Sequence, residues 1–180
     1  MADSGPAFEF TMRWEDPDLK GDVHPDPTDT DPNAVERWGL NSHWFPNLVA
    51  QGYFTSMSKE DSFRIAQHVY EANYFGRILG WQIQDQSIAT KIADLAYNEG
   101  CEEATKITQR AVNSLQTGLT IALAVDGQFG KGTLTAVNLA QPADLLAAIK
   151  GYAEDFYRSW AIRENKPDSE LQSLLRRVSA

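Results

Sequence analysis

Ala7-Phe8-Glu9-Phe10-Thr11-Met12-Arg13-Trp14-Glu15 runs directly into Asp16-Pro17. Phe8, Met12 and Trp14, set among polar residues, give this run one side that can face a core. Ser4 can cap such a helix, and Pro6 suits its first turn. The helix must stop near Glu15, because a residue that precedes proline is driven out of the helical region. A carboxyl therefore stands at the end of an apolar helix beside Trp14, where its charged form is poorly solvated. The segment behind it is crowded with further carboxylates: Asp16, Asp18, Asp22, Asp26, Asp29, Asp31 and Glu36. Order resumes at Val35-Glu36-Arg37-Trp38-Gly39-Leu40.

Residues 16–33 carry the turn signals Asp16-Pro17, His24-Pro25, Asp26-Pro27 and Asp31-Pro32, which make a long loop. Loops of that length inside a domain are usually functional or mobile. Trp44-Phe45-Pro46-Asn47-Leu48 reads as an apolar turn. Ser58-Lys59-Glu60-Asp61 has the form of a helix start with a capping box. Phe63, Ala66, Tyr70 and Tyr74 then recur at helical spacing as far as Gly76. Asp85 caps a helix whose core face is Ile88, Ile92 and Leu95 and which Gly100 stops. Asp94 and Asn98, four apart, share its polar face. Residues 102–115, 133–138, 142–163 and 169–178 read as helices, with Pro142 opening the longest. Residues 119–125 read as an extended loop or short strand before the Asp126-Gly127 turn. Helix follows helix, so the fold class is mainly α, with a long irregular or short β loop after the first helix.

The chain has 180 residues, enough for one domain with a real core. A net charge of −9 argues against nucleic acid, which needs clustered Lys and Arg. The single cysteine, Cys101, excludes an internal disulfide and reads as a packed thiol. His24, His43 and His68 lack ligand spacing, and the acidic loop lacks the alternation of a calcium loop, so no metal or organic cofactor is expected. Met1 to Gly5 has neither the basic nor the apolar region of a signal peptide, and no stretch is apolar enough to span a bilayer. Cytoplasmic synthesis without membrane insertion is the expectation.

Two acids of different character, one apolar-set and one in a polar loop, are what glycoside hydrolysis requires. The same residues also suit a solvated helix end and an ordinary Asp/Pro loop, and spacing alone favours that plainer reading. The order of signals resembles glycoside hydrolase family 108. In that family a first helix ends in Glu-Gly-Gly, followed by Asp-Pro-Gly-Gly-x-Thr-x-x-Gly-Ile. Glu15 stands at the Glu, Asp31-Pro32 at the Asp-Pro, and Arg37-Trp38-Gly39-Leu40 at the end of the motif. Downstream, Phe45-Pro46-Asn47-Leu48 and Tyr74-Phe75 match further family positions. So do Asp85-Gln86-Ser87-Ile88-Ala89, Asp94-Leu95-Ala96-Tyr97-Asn98-Glu99-Gly100 and Gln109-Arg110-Ala111. The string Val125-Asp126-Gly127-Gln128-Phe129-Gly130-Lys131-Gly132-Thr133-Leu134 is similar to the family's peptidoglycan-associated C-terminal region.

The resemblance implies a single lysozyme-like domain, residues 1–180, with a catalytic-motif half (1–84) and a helical, peptidoglycan-associated half (85–180). It implies an N-acetylmuramidase that cleaves peptidoglycan glycan strands by carboxylate acid catalysis. Glu15 would be the proton donor. Glu36, at the family's Thr, is first choice for the second carboxylate, with Asp31 next; a surface charge is the other reading of Glu36. Trp38, Tyr74 and Asn98 are candidates to line the saccharide site, with core packing and a helix-end hydrogen bond the other readings of Tyr74 and Asn98. Reaching the wall would take lysis machinery such as a holin, a virion or a secretion system. The departures from the pattern fall at the chemistry: Asp16-Pro17 and Asn33-Ala34 replace the two glycine pairs, and Ser173-Leu174 the C-terminal Gly-Trp. They point to the alternative, a glycan-binding or virion-structural protein on the same scaffold. Cleavage of chitin or chitosan is a third reading.

Overall fold

The computed structural model describes residues 1–26, 29–115 and 122–180. Pro27 of the Asp26-Pro27 turn signal, and residues 119–121 of the expected extended loop, lie outside them. Among the described residues there are eight α-helices and one small antiparallel sheet. The fold is mainly α and lysozyme-like: a first helix leads into the sheet, and the later helices surround a central one.

Helix α1, Ser4–Glu15, buries Ala7, Phe8, Thr11 and Met12 along one face. Its cap is Asp3, whose side chain accepts from the Gly5 N–H at 2.9 Å, and not Ser4 as the sequence suggests. The Ser4 hydroxyl instead donates to Glu71 at 2.8 Å. The sheet follows in the order β1 (His24–Pro25), β2 (Val35–Arg37), β3 (Leu40–Asn41). Glu36 lies opposite His24 on one side and Asn41 on the other, so these three side chains share a sheet face. The apolar turn expected after the sheet is a short helix, α2 (Pro46–Ala50).

Trp38 and Gly39 form the two-residue link between β2 and β3, with φ of 54° and 70°. Positive φ at both positions is what a tight type I′ hairpin turn demands. A tryptophan there is strained, and its surroundings compensate. The indole is buried, donates to the Ser62 hydroxyl at 2.9 Å and meets Phe63 edge-on at 4.9 Å. Gly21 packs flat on the indole, where a Cβ would lie 2.3 Å from Cζ2.

Helix α3 (Lys59–Tyr70) starts at the expected Ser58 cap and widens into a π turn, Glu71–Phe75. Helix α4 (Gln86–Glu99) starts at the Asp85 cap and is the central element, packed by α1, α5 (Cys101–Asn113) and α7 (Pro142–Arg163). Burial on all sides explains its unbroken buried run from Lys91 to Ala96. Helices α6 (Lys131–Leu139) and α8 (Asp168–Ser179) complete the set. The Asp126-Gly127 turn is held from α5 by the buried Gln109. Its Oε1 accepts from the Gly127 N–H at 3.0 Å, and its Nε2 donates to Asp126 at 2.8 Å. The Gln109 and Asp126-Gly127 strings thus meet in a fold-holding contact. No helix among the described residues is long and apolar enough to cross a membrane.

Candidate functional site

Glu15 closes α1 one turn beyond Thr11, so the two side chains sit one above the other. Both look onto α4, and between α1 and α4 comes a residue from the far end of the sequence, Arg177 of α8. Its Nη1 pairs with Glu15 Oε1 at 2.7 Å. Its Nη2 and Nε donate to Asp94 Oδ1 at 2.9 and 3.1 Å, and Nη1 also reaches Asn98 Oδ1 at 3.3 Å. Thr11 donates to the same Asp94 oxygen at 3.2 Å. Burial works against the guanidinium charge, but Asp94 and Glu15 outweigh it and hold Arg177 more firmly protonated than an ordinary arginine. From the other side, Lys91 and Lys150 donate to the carbonyls of Arg177 and Ser179 at 2.9 and 2.7 Å and so fix the last turn of α8.

This corrects the expectation for Glu15. Its setting is not merely apolar, because a guanidinium meets it. No local signal in the sequence links Arg177 to Glu15. The expected pairing of Asp94 with Asn98 on one polar face is present, and Arg177 is what that face receives.

Glu36 extends from β2, half-buried. Burial raises its carboxyl above the ordinary range, and the negative charges of Glu15 and Asp26 add to this while His24 opposes it. After burial, the Glu15 charge adds most to that rise. Gly39 sits over Glu15: a Cβ there would lie 2.9 Å from Tyr97 and 3.1 Å from Glu15 Cγ. The Tyr97 hydroxyl donates to the Trp38 carbonyl at 2.7 Å, which ties the hairpin turn to α4.

Asp31 does not join them. It is exposed, and its carboxylate accepts from the Asn33 N–H at 2.9 Å within its own turn. The acids the fold collects beside Glu36 are Asp26 and Asp29. Asn41 Nδ2 donates to both, at 2.8 and 3.0 Å, and His43 Nδ1 lies 2.9 Å from Asp29. Among eight acids within a few turns, spacing carries no signal that separates Asp29 from Asp31.

Of the three candidates for saccharide contact, Trp38 is core, 2% exposed, because its turn conformation swings the indole inward. Tyr74 is half-buried on the π turn, with its ring 4.7 Å from that of Tyr97. Burial raises its phenol, with the charges of Cys101 and Glu15 adding. Asn98 spends its amide on neighbours: it accepts from Arg177 and donates to the Tyr157 hydroxyl at 2.6 Å and to Glu99 at 2.8 Å. Cys101 donates to the Asn73 carbonyl at 3.3 Å and burial raises its thiol, as befits a packed group. The cavities around Ile83 and Pro142, around Lys91 and Lys150, and around Cys101 and Phe129 are lined without Glu15 or Glu36.

Glu99 was not singled out by its sequence context, yet burial lifts its carboxyl to about 7, against the opposing pull of the Tyr157 hydroxyl and Arg177. A folded-state value raised from 4.5 gives stability that is fully present below 4.5 and lost as pH rises through about 7. Glu99→Gln, which keeps the acceptor for Asn98, is therefore expected to exceed wild type by about 1–2 kcal/mol at pH 8 and by nothing at pH 4. Urea midpoints at the two pH values check this; an equal difference at both would refute it.

No protein-family model matches the chain, and no curated protein matches it. Among solved structures, that of Brucella abortus SagA is similar, with a TM-score of 0.64 and 17% identity over 97% of this chain and 92% of that one. At that identity the likeness is one of fold.

Proposed function

We propose that this protein is a glycoside hydrolase of the lysozyme type that cleaves peptidoglycan glycan strands between N-acetylmuramic acid and N-acetylglucosamine. The observation that carries the reading is the pair Glu15 and Glu36. One acid ends the first helix, the other projects from the sheet that follows, and their settings differ: a guanidinium meets Glu15, while burial raises the Glu36 carboxyl. Different settings let one group keep a proton while the other stays charged, the division of labour that glycosidic cleavage needs. One carboxyl protonates the bridging oxygen. The other faces the positive charge that develops on the sugar ring, or activates water. Tyr74 packs against Tyr97, which with Glu15 crowds Gly39, and offers an aromatic face to a sugar. The motif resemblance around Glu15, Gly39 and Asn98 supports the substrate class. Delivery to the wall by lysis, virion or secretion machinery belongs to the same proposal.

A second reading, glycan binding without cleavage, is favoured by one observation. Arg177, itself held by Asp94 and Asn98, occupies one carboxylate oxygen of Glu15. Purified sacculi separate the two. Borohydride labelling after incubation should reveal new reducing N-acetylmuramic acid ends, read by mass spectrometry. Cosedimentation with no new ends would favour binding alone. Neither would end both readings.

A further inference from the structure

Trp44 is 73% exposed, and its indole contributes nothing to the core. A lone exposed aromatic is unremarkable on a protein surface. This one is held still. Its ring stacks on the His43 imidazole, with centroids 5.0 Å apart and planes at 21°. The imidazole is pinned in turn: Nδ1 lies 2.9 Å from an oxygen of Asp29, and the His43 backbone N–H donates to Asn41 Oδ1 at 2.7 Å. Asp29 is itself fixed, its side chain 4% exposed and engaged by Asn41 and by the Asp31 N–H. A hydrogen-bonded acid thus orients an imidazole, and the imidazole backs an exposed indole.

The position matters as much as the rigidity. Asn41 is the cross-strand partner of Glu36 and shares its sheet face. Trp44 follows three residues later, so its Cα is no more than about 11 Å from that of Asn41. A flat, pre-oriented ring suits the apolar face of a pyranose and loses little entropy on binding. The net charge of −9 favours an uncharged sugar over an anionic one.

We propose that Trp44, backed by His43 and Asp29, is a stacking platform for an uncharged pyranose of the glycan, set beside the Glu36 face of the sheet. The choice of ligand rests on the glycan reading above; the platform does not require cleavage. The probe is chitohexaose, titrated calorimetrically into the full chain carrying Glu15→Gln, so that any hydrolysis is slow on the timescale of the titration. Adding Trp44→Ala should weaken binding roughly three- to tenfold, while Trp44→Phe keeps most of it. Asp29→Asn, which loosens the backing imidazole, should fall between them. Trp81→Ala, at an indole 47% exposed elsewhere on the surface, should change nothing. Unaltered melting curves show that the exposed substitution leaves the fold intact. On sacculi, Trp44→Ala in the otherwise wild-type chain should raise the half-saturating substrate level and spare the maximal rate. Equal affinity with and without Trp44 would overturn the platform and leave the glycan reading standing. Trp44-dependent binding by a chain that never cleaves sacculi would uphold the platform and remove the catalytic reading. Absence of binding to both chitohexaose and sacculi would overturn the platform as well.

Discussion

Arg177→Ala should cost the fold about 3–5 kcal/mol, the usual penalty for stripping the partner from a buried charge. Asp94 is 2% exposed, and after the substitution the Thr11 hydroxyl is its remaining close donor among those described above. Glu15 loses its 2.7 Å partner at the same time. A chain of this size shifts its melting temperature by roughly 2–4 °C per kcal/mol, so a fall of about 10 °C is expected. Arg177→Lys should recover little, because an ammonium cannot fork to three acceptors on two elements as the guanidinium does. Adding Asp94→Ala to Arg177→Ala should return part of the loss, since the orphaned carboxylate is then gone. Thermal melts of these variants test the cluster. A melt of Arg177→Ala within 1–2 °C of wild type would show that the cluster does not hold the helices together.

Glu15→Gln and Glu36→Gln should each lower the rate of sacculus cleavage by about 10²–10⁴, the range for a displaced acid–base group. Their effects on stability should part. Glu15→Gln weakens the contact with Arg177 and lowers stability. Glu36→Gln should raise it at neutral pH. Glu36 has a folded-state value above its ordinary 4.5, so its stabilising contribution is complete below 4.5 and lost as pH rises past the raised value. Above the raised value the ionised carboxylate costs stability that glutamine does not, and the advantage should vanish near pH 4. A variant that gains stability while losing activity marks a group kept for chemistry. The pH profile also assigns the roles. The family resemblance makes Glu15 the donor, whereas the Arg177 contact and the raised Glu36 carboxyl suit the exchanged roles. Asp26→Asn removes a negative charge that raises Glu36. It should shift the alkaline limb to lower pH if Glu36 donates, and leave the limb in place if Glu15 does. Wild-type rates in either glutamine variant would remove the pair from the mechanism.

Local signals in the chain carried most of the helical frame. Ser58 and Asp85 cap where their side chains can reach the third N–H ahead, and Pro142 opens the longest helix. The end of α1 at Glu15 followed from Asp16-Pro17 alone. Sequence failed where partners are distant. Arg177 meets Asp94 and Asn98 across 83 and 79 residues, and no periodicity within α8 marks it out from Arg176 beside it. Trp38 misled for a different reason. Its side-chain chemistry suits a sugar, but the left-handed backbone of the hairpin turn directs the ring into the core. Asp31 was named through its motif position; the structure leaves it exposed in its own turn, and the loop's hydrogen bonds hold Asp29 against Asn41 and His43 instead.

The guanidinium that meets Glu15 arrives from the last described helix, while Glu15 itself belongs to the first. During synthesis, α1 and the sheet leave the ribosome long before α8 does. A nascent chain still lacking residue 177 cannot balance the charge of Asp94 or bring its first helix to rest against α4 in the finished arrangement. The setting of Glu15 is therefore completed late, and a polypeptide truncated ahead of α8 is expected to leave that carboxylate without its guanidinium.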